Sequence, residues 1–157
     1  MGDYIKFGYW DTSMGMTDPF SMSVVAAVKE GQLDKLKSMY FEDMDINLND
    51  DNGHSLIAIA ASNGDLEMFK YLYEKGTFLY SLDMWGQTLL HLAAGGGNRE
   101  IVKILLDGGF EVNVQDHDAC SVLYAATMGK HEEVVKLLLE YGAYKDWYEE
   151  DGFMNEL

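Results

Sequence analysis

The chain has 157 residues, 48% of them hydrophobic and 24% charged, enough for one domain or a short repeat array with a buried core, so a disordered chain is not expected. Its 27 acidic residues stand against 11 lysines and arginines, a formal charge of −16, and a field of that sign repels phosphate backbones and anionic lipid. Nucleic acid and membrane surfaces are therefore disfavoured as partners, whereas a basic protein is attracted; the same charge also serves solubility.

Cys120 is the only cysteine, which leaves no intrachain disulfide and argues against a secreted disulfide scaffold. The opening MGDYIKFGYW lacks a basic region followed by an apolar run, and no stretch approaches the roughly 18 apolar residues of a membrane span. Lys6 stands where an N-myristoylation signal needs Ser or Thr. A soluble protein of a reducing, cytoplasmic compartment is expected.

Residues 1–20 carry Tyr4, Phe7, Tyr9 and Trp10 but no repeat; they form an N-terminal extension that either caps the first repeat or adds an aromatic contact surface. From residue 21 a 33-residue period organises the chain. The first unit, 21–49, has an apolar run through Val24 and Ala27, a break at Gly31, a second run through Leu36 and Met39, and Asp43 at its close. The second, 50–82, repeats this from Gly53: Ser55 precedes a run through Ile57 and Ala60, Gly64 breaks it, and Phe69 and Leu72 lead to Gly76. The third, 83–115, has Gly86, Thr88, Leu90, Ala93, Gly97, Val102, Leu105 and Gly109 in the same places. The fourth, 116–148, places Ala119, Ser121, Leu123, Ala126, Lys130, Val135, Leu138 and Gly142 there. Residues 149–157, EEDGFMNEL, open a further unit at Gly152 and serve as a truncated repeat or cap.

The spacing within each unit predicts a helix, a tight turn and a second helix. Small side chains at Ala27, Ala60, Ala93 and Ala126 let neighbouring helices approach closely, and the apolar sets form the core seams. Ser55, Thr88 and Ser121 are placed to cap first helices. Gly76, Gly109 and Gly142 stand where a left-handed residue ends the second.

The stretch Thr88–Asp116, TLLHLAAGGGNREIVKILLDGGFEVNVQD, closely resembles the ankyrin repeat, ending in its Val112-Asn113. The resemblance covers residues 21–148 as four units, of which the third is nearest the pattern and the first is degenerate. It implies an all-α solenoid of about four helix-turn-helix repeats with β-turn fingers. The family's proline before the first helix is replaced by Leu56, Leu89 and Val122, and its histidine survives only as His91, with Ala58 and Tyr124 in the equivalent places. The resemblance gives His91 a structural role, its ring bonding the turn backbone and the Thr88 hydroxyl.

Candidate chemistry is weak. Asp43, Asp45 and Asn47 begin like a calcium loop, but Leu48 sits where a glycine is needed and His54 where a bidentate glutamate would be. His117, Cys120 and His131 offer no four-ligand zinc spacing. Asp118 and its acidic neighbours would raise the Cys120 thiol pKa, which opposes a nucleophilic role. Gly95, Gly96 and Gly97 lack the G-K-[ST] of a phosphate loop and read as an inter-helix turn that leaves bare backbone for a partner. No nucleophile, base and orienter converge, so neither enzymatic activity nor a metal or cofactor is expected.

The resemblance implies binding through finger tips and the exposed side of the first helices. By register the finger residues are Asp51, Asn52 and His54, then Met84, Trp85 and Gln87, then His117, Asp118 and Cys120; the helix positions are Ser62, Asn63, Gly95, Gly96 and Met128. Trp85 is either an interface anchor or a side chain packed on the neighbouring finger. Trp147 and Tyr148, beside Glu149, Glu150 and Asp151, add an aromatic centre with an acidic rim. The expected function is a protein-binding module, monomeric when unbound, whose acidic and aromatic concave face takes a basic protein. The alternative is an immunity or inhibitor protein that neutralises a basic toxin or nuclease.

Overall fold

A computed structural model describes residues 19–40 and 44–145. Among these residues the regular structure is helical: α1 (Pro19–Lys29), α2 (Leu33–Met39), α3 (Leu56–Ser62), α4 (Leu66–Glu74), α5 (Leu89–Gly96), α6 (Arg99–Asp107), α7 (Val122–Met128) and α8 (Glu132–Glu140). Each pair forms one unit. α1 takes in Pro19 and Phe20, which lie inside the stretch read as an extension. No helix is long and apolar enough to cross a membrane.

Local chemistry explains the boundaries. The Ser55, Thr88 and Ser121 hydroxyls accept the N–H groups of Ala58, His91 and Tyr124 at the starts of α3, α5 and α7. Asp65 and Asn98 do the same for α4 and α6. The second helices give way to left-handed Gly76, Gly109 and Gly142, as the spacing implied.

The first helices form one layer, α1 on α3, α3 on α5 and α5 on α7, and the second helices form another, joined through α4, α6 and α8. Ala27, Ala60, Ala93 and Ala126 are fully buried between first helices. The closest approach is at Gly96, where a methyl group would stand 2.2 Å from the Ala61 carbonyl oxygen. Small residues thus draw the first layer together while Phe69, Leu72, Ile101, Leu105, Val135 and Leu138 are buried beside it. Ser23 is exposed where Leu56, Leu89 and Val122 are buried against the preceding unit, so the first unit presents a polar side chain at that end.

Gly95 and Gly96 do not form a turn. Both belong to α5, and only Gly97, at φ +78°, reverses the chain. In the fourth unit the equivalent turn residue is Lys130 at φ +57°, and Ala119 at φ +61° stands where Gly53 and Gly86 serve the other fingers. A Cβ in this region crowds the following carbonyl at a cost of about 1 kcal/mol. Ala119→Gly should therefore raise the unfolding free energy by about 0.5 kcal/mol after the added freedom of the unfolded chain is counted. Urea denaturation that shows no gain would contradict this.

Candidate protein-binding surface

Each finger is built around one aspartate. Asp50 Oδ1 accepts the N–H groups of Asn52 and His54, both at 3.0 Å. Asp83 Oδ1 accepts those of Trp85 and Gln87 at 2.9 and 2.8 Å, and Asp116 Oδ1 those of Asp118 and Cys120, both at 2.9 Å. The main chain closes the same loops: Asp50 N–H to His54 O, Asp83 N–H to Gln87 O and Asp116 N–H to Cys120 O. Successive fingers are joined by Met84 N–H to Asn52 O at 3.2 Å and His117 N–H to Trp85 O at 3.0 Å. Sequence reasoning passed over these aspartates, although their 33-residue spacing and the tendency of Asp to bond backbone two residues on were available signals.

The side chains cross-link the fingers too. His54 lies between two buried carboxylates, its Nε2 3.1 Å from Asp83 Oδ2 and its Nδ1 3.5 Å from Asp50 Oδ2. Lys29 Nζ reaches Asp50 Oδ2 at 2.9 Å. Burial of Asp50 works to raise its pKa, but hydrogen bonds from Lys29 and from the His54 and Asn52 N–H groups outweigh it and hold the carboxyl below its ordinary range.

The residues singled out from the sequence divide into three groups. Asp51, Asn52, Met84, Trp85, His117 and Asp118 are exposed at the finger tips, and Ser62, Asn63, Gly95 and Met128 are exposed on or at the end of first helices. His54, Gln87 and Cys120 are half-buried inside their fingers. Gly96 is half-buried against the carbonyls of Ala61 and Ser62, so its bare backbone serves the stack and leaves the partner surface. Gly95 O is also engaged, by His131 Nε2 at 2.8 Å. Trp147, Tyr148 and Asp43 lie outside the described residues.

Trp85 packs on the neighbouring finger and still reaches solvent. Its ring centroid lies 5.8 Å from that of His54 on the neighbouring finger, yet the side chain remains 41% exposed. With Met84 and Met128 it gives this face its apolar content. The Cys120 thiol is pushed up by burial, with Asp116 and Asp118 adding to the effect. Asp45 and Asn47 spend side-chain oxygens on the N–H groups of Asn47 and Phe78. Among the described residues no three of His, Cys, Asp and Glu converge as a metal site. His91 bonds Thr88 through Nδ1, and its Nε2 lies 3.1 Å from Cys120 O in the next unit.

The distribution of cations is the strongest electrostatic feature. No Lys or Arg occurs from Met44 to Phe69, from Gly76 to Asn98 or from Ile104 to Gly129. Those stretches contain the three fingers and the helices α3, α5 and α7. In these three units Lys70, Arg99, Lys103 and Lys136 stand on second helices, and Lys75, Lys130 and Lys145 in turns or connections. Among the described residues the first-helix layer is therefore bordered by cations at Lys29 and Lys130. Its exposed carboxylates include Glu30, Asp51 and Asp118, whereas Asp50 and Asp83 are buried in their fingers.

The family model described as Ankyrin repeats (3 copies) matches residues 24–116 and 77–151. No curated protein matches the sequence significantly. The chain belongs to the ankyrin-repeat family, whose repeats are protein–protein interaction modules.

Proposed function

We propose that this protein is a non-enzymatic binding module, monomeric when free, that receives a basic protein on its finger tips and first-helix face. The observation that carries this reading is the absence of Lys and Arg from every finger and from α3, α5 and α7. A partner's cations would meet little repulsion there, since Lys29 is paired with Asp50, and Met84, Trp85 and Met128 would supply the apolar anchor that makes such contacts tight. Trp147, Tyr148 and the acidic residues beside them would extend the surface. The single reduced cysteine fits a cytoplasmic setting.

The partner is to be identified by affinity capture from the native source and then titrated as a pure protein. Trp85→Ala is expected to weaken binding by about 2 kcal/mol, roughly thirtyfold, the range of an interface anchor. Raising salt from 50 to 500 mM should weaken it further, chiefly through a slower association rate. Binding that ignores both changes would remove this reading. The formal charge of −16 favours a second one, an inhibitor or immunity protein of a basic toxin or nuclease. In that case one equivalent of this chain abolishes the captured partner's activity; unaltered activity in the saturated complex leaves an adaptor.

A further inference from the structure

The connection between the second and third units differs in kind from its neighbours. Phe78, Tyr80, Leu82 and Met84, at every second position, are 70%, 76%, 56% and 57% exposed. One unit earlier the same places hold Asp45, Asn47, Asn49 and Asp51, and one unit later Glu111, Asn113, Gln115 and His117. Both flanking rows are wholly polar, and only the middle row sets large apolar side chains in water.

This departure has a structural cost that the fold does not require. Asn47 accepts the N–H of Phe78, and Asn113 accepts that of Tyr144, each tying one connection to the next. At Tyr80 the side-chain tie is missing. Its ring instead stacks on Phe110 at 4.8 Å between centroids, and the two help to line a shallow cavity of about 250 Å³ with Glu111 at its edge. An asparagine would have been the better stapling residue, so a stack-building role does not explain the tyrosine. An exposed apolar strip between polar rows is the signature of a contact surface.

We propose that Phe78, Tyr80 and Leu82 form a second docking site, which takes a segment of another protein where apolar side chains alternate with lysine or arginine. The apolar part of that segment covers the strip. Its cations reach Asp45 and Asp51 on one side and Glu111 on the other, all exposed. Lys75, at the start of the middle connection, lies over the Tyr40 and Tyr71 rings, and no other Lys or Arg stands in the three connections. A second copy of this chain is a poor occupant, because it brings −16 against −16. The strip is made of residues other than Trp85 and Met128, so substitutions test the two sites separately even though both border Asp51.

The test uses the full chain and a fluorescein-labelled peptide, Lys-Phe-Lys-Val-Lys-Leu-Lys, followed by fluorescence anisotropy. A control peptide has every lysine replaced by glutamate. The variant carries Phe78→Ser, Tyr80→Asn and Leu82→Gln, which leave the net charge at −16 and restore an asparagine where Glu111 N–H can use it. The lysine peptide is expected to bind the native chain, to lose at least tenfold in affinity for the variant, and to bind Trp85→Ala/Met128→Ala within twofold of native. A benzoylphenylalanine in place of the peptide's phenylalanine should cross-link to residues 78–82 of the native chain, a readout that does not depend on the variant folding. The proposal is overturned if the native chain does not bind, if the glutamate peptide binds as well, if the folded variant binds undiminished, or if the cross-links fall elsewhere. It is overturned equally if sedimentation shows a native dimer that the variant dissolves, for then the strip faces its own copy.

Discussion

Gly96→Ala is expected to lower the unfolding free energy by about 3 kcal/mol, while Gly95→Ala next to it raises stability by about 0.5 kcal/mol. The two residues share one helix and one chemistry, and differ in what stands opposite. A Cβ on Gly96 would lie 2.2 Å from the Ala61 carbonyl oxygen and 2.7 Å from that of Ser62. Both obstacles are backbone, so no rotamer change relieves them, and α3 and α5 have to separate along the seam that Ala60 and Ala93 keep closed. A Cβ on Gly95 meets nothing within 4 Å, and there the helix simply gains the stiffness that glycine lacks. Urea or thermal unfolding of the two variants decides the matter; equal effects would mean that the helices are not in contact at Gly96. Gly95→Ala also tests the proposed binding face, since its methyl group projects there without disturbing the fold.

His91→Ala should cost about 2–4 kcal/mol, because the ring is almost fully buried and ties two units together. Its Nδ1 accepts the Thr88 N–H at 3.2 Å, so Nε2 carries the proton and donates it to Cys120 O. A second proton on Nδ1 would break the bond from the Thr88 N–H. Burial lowers the His91 pKa from 6.5, and its bond to Cys120 O and the charges of Asp116 and Asp83 offset this only in part. The unfolded chain therefore binds a proton more readily than the folded one. Stability should be level above about pH 6.5 and fall below it, with a slope of up to about 1.4 kcal/mol per pH unit from this residue. Asp50 acts in a lower window: its depressed carboxyl contributes stability above its ordinary pKa of 3.8 that is lost as pH falls through the folded value. Chemical denaturation from pH 8 to pH 4.5 stays above the Asp50 window, and the slope should become shallower in His91→Ala. A native slope absent from that range would show that the ring accepts its second proton in the folded state.

The repeat was legible because one physical demand recurs every 33 residues. Every unit needs an alanine where first helices touch and a left-handed residue where the chain reverses, and the second to fourth units place a hydroxyl where the first helix begins, so each demand leaves a residue type in register. Even the exceptions were legible as positions: Lys130 and Ala119 occupy left-handed backbone although neither is glycine. The binding surface was less so. His54 reads as a surface residue at a finger tip, and only the fold shows it between the carboxylates of Asp50 and Asp83, which lie far apart in sequence. Gly96 reads as part of an inter-helix turn, whereas its meaning depends on a carbonyl 35 positions earlier. The exposed row at Phe78, Tyr80 and Leu82 follows the period in spacing but breaks it in composition, and alignment for similarity passes over such a break.

The fourth unit gathers several small weaknesses: Lys130 and Ala119 in left-handed backbone, and α8 without a side-chain cap at His131. In a linear stack each unit leans only on its neighbours, so the unit with the least favourable local contacts opens most readily. Amide exchange should accordingly be fastest in α7 and α8 and slow progressively toward α5 and α3. A ligand gripping Met128 or the finger of Asp118 would then hold shut the segment most prone to fray, and its affinity would register as heat resistance of the whole array.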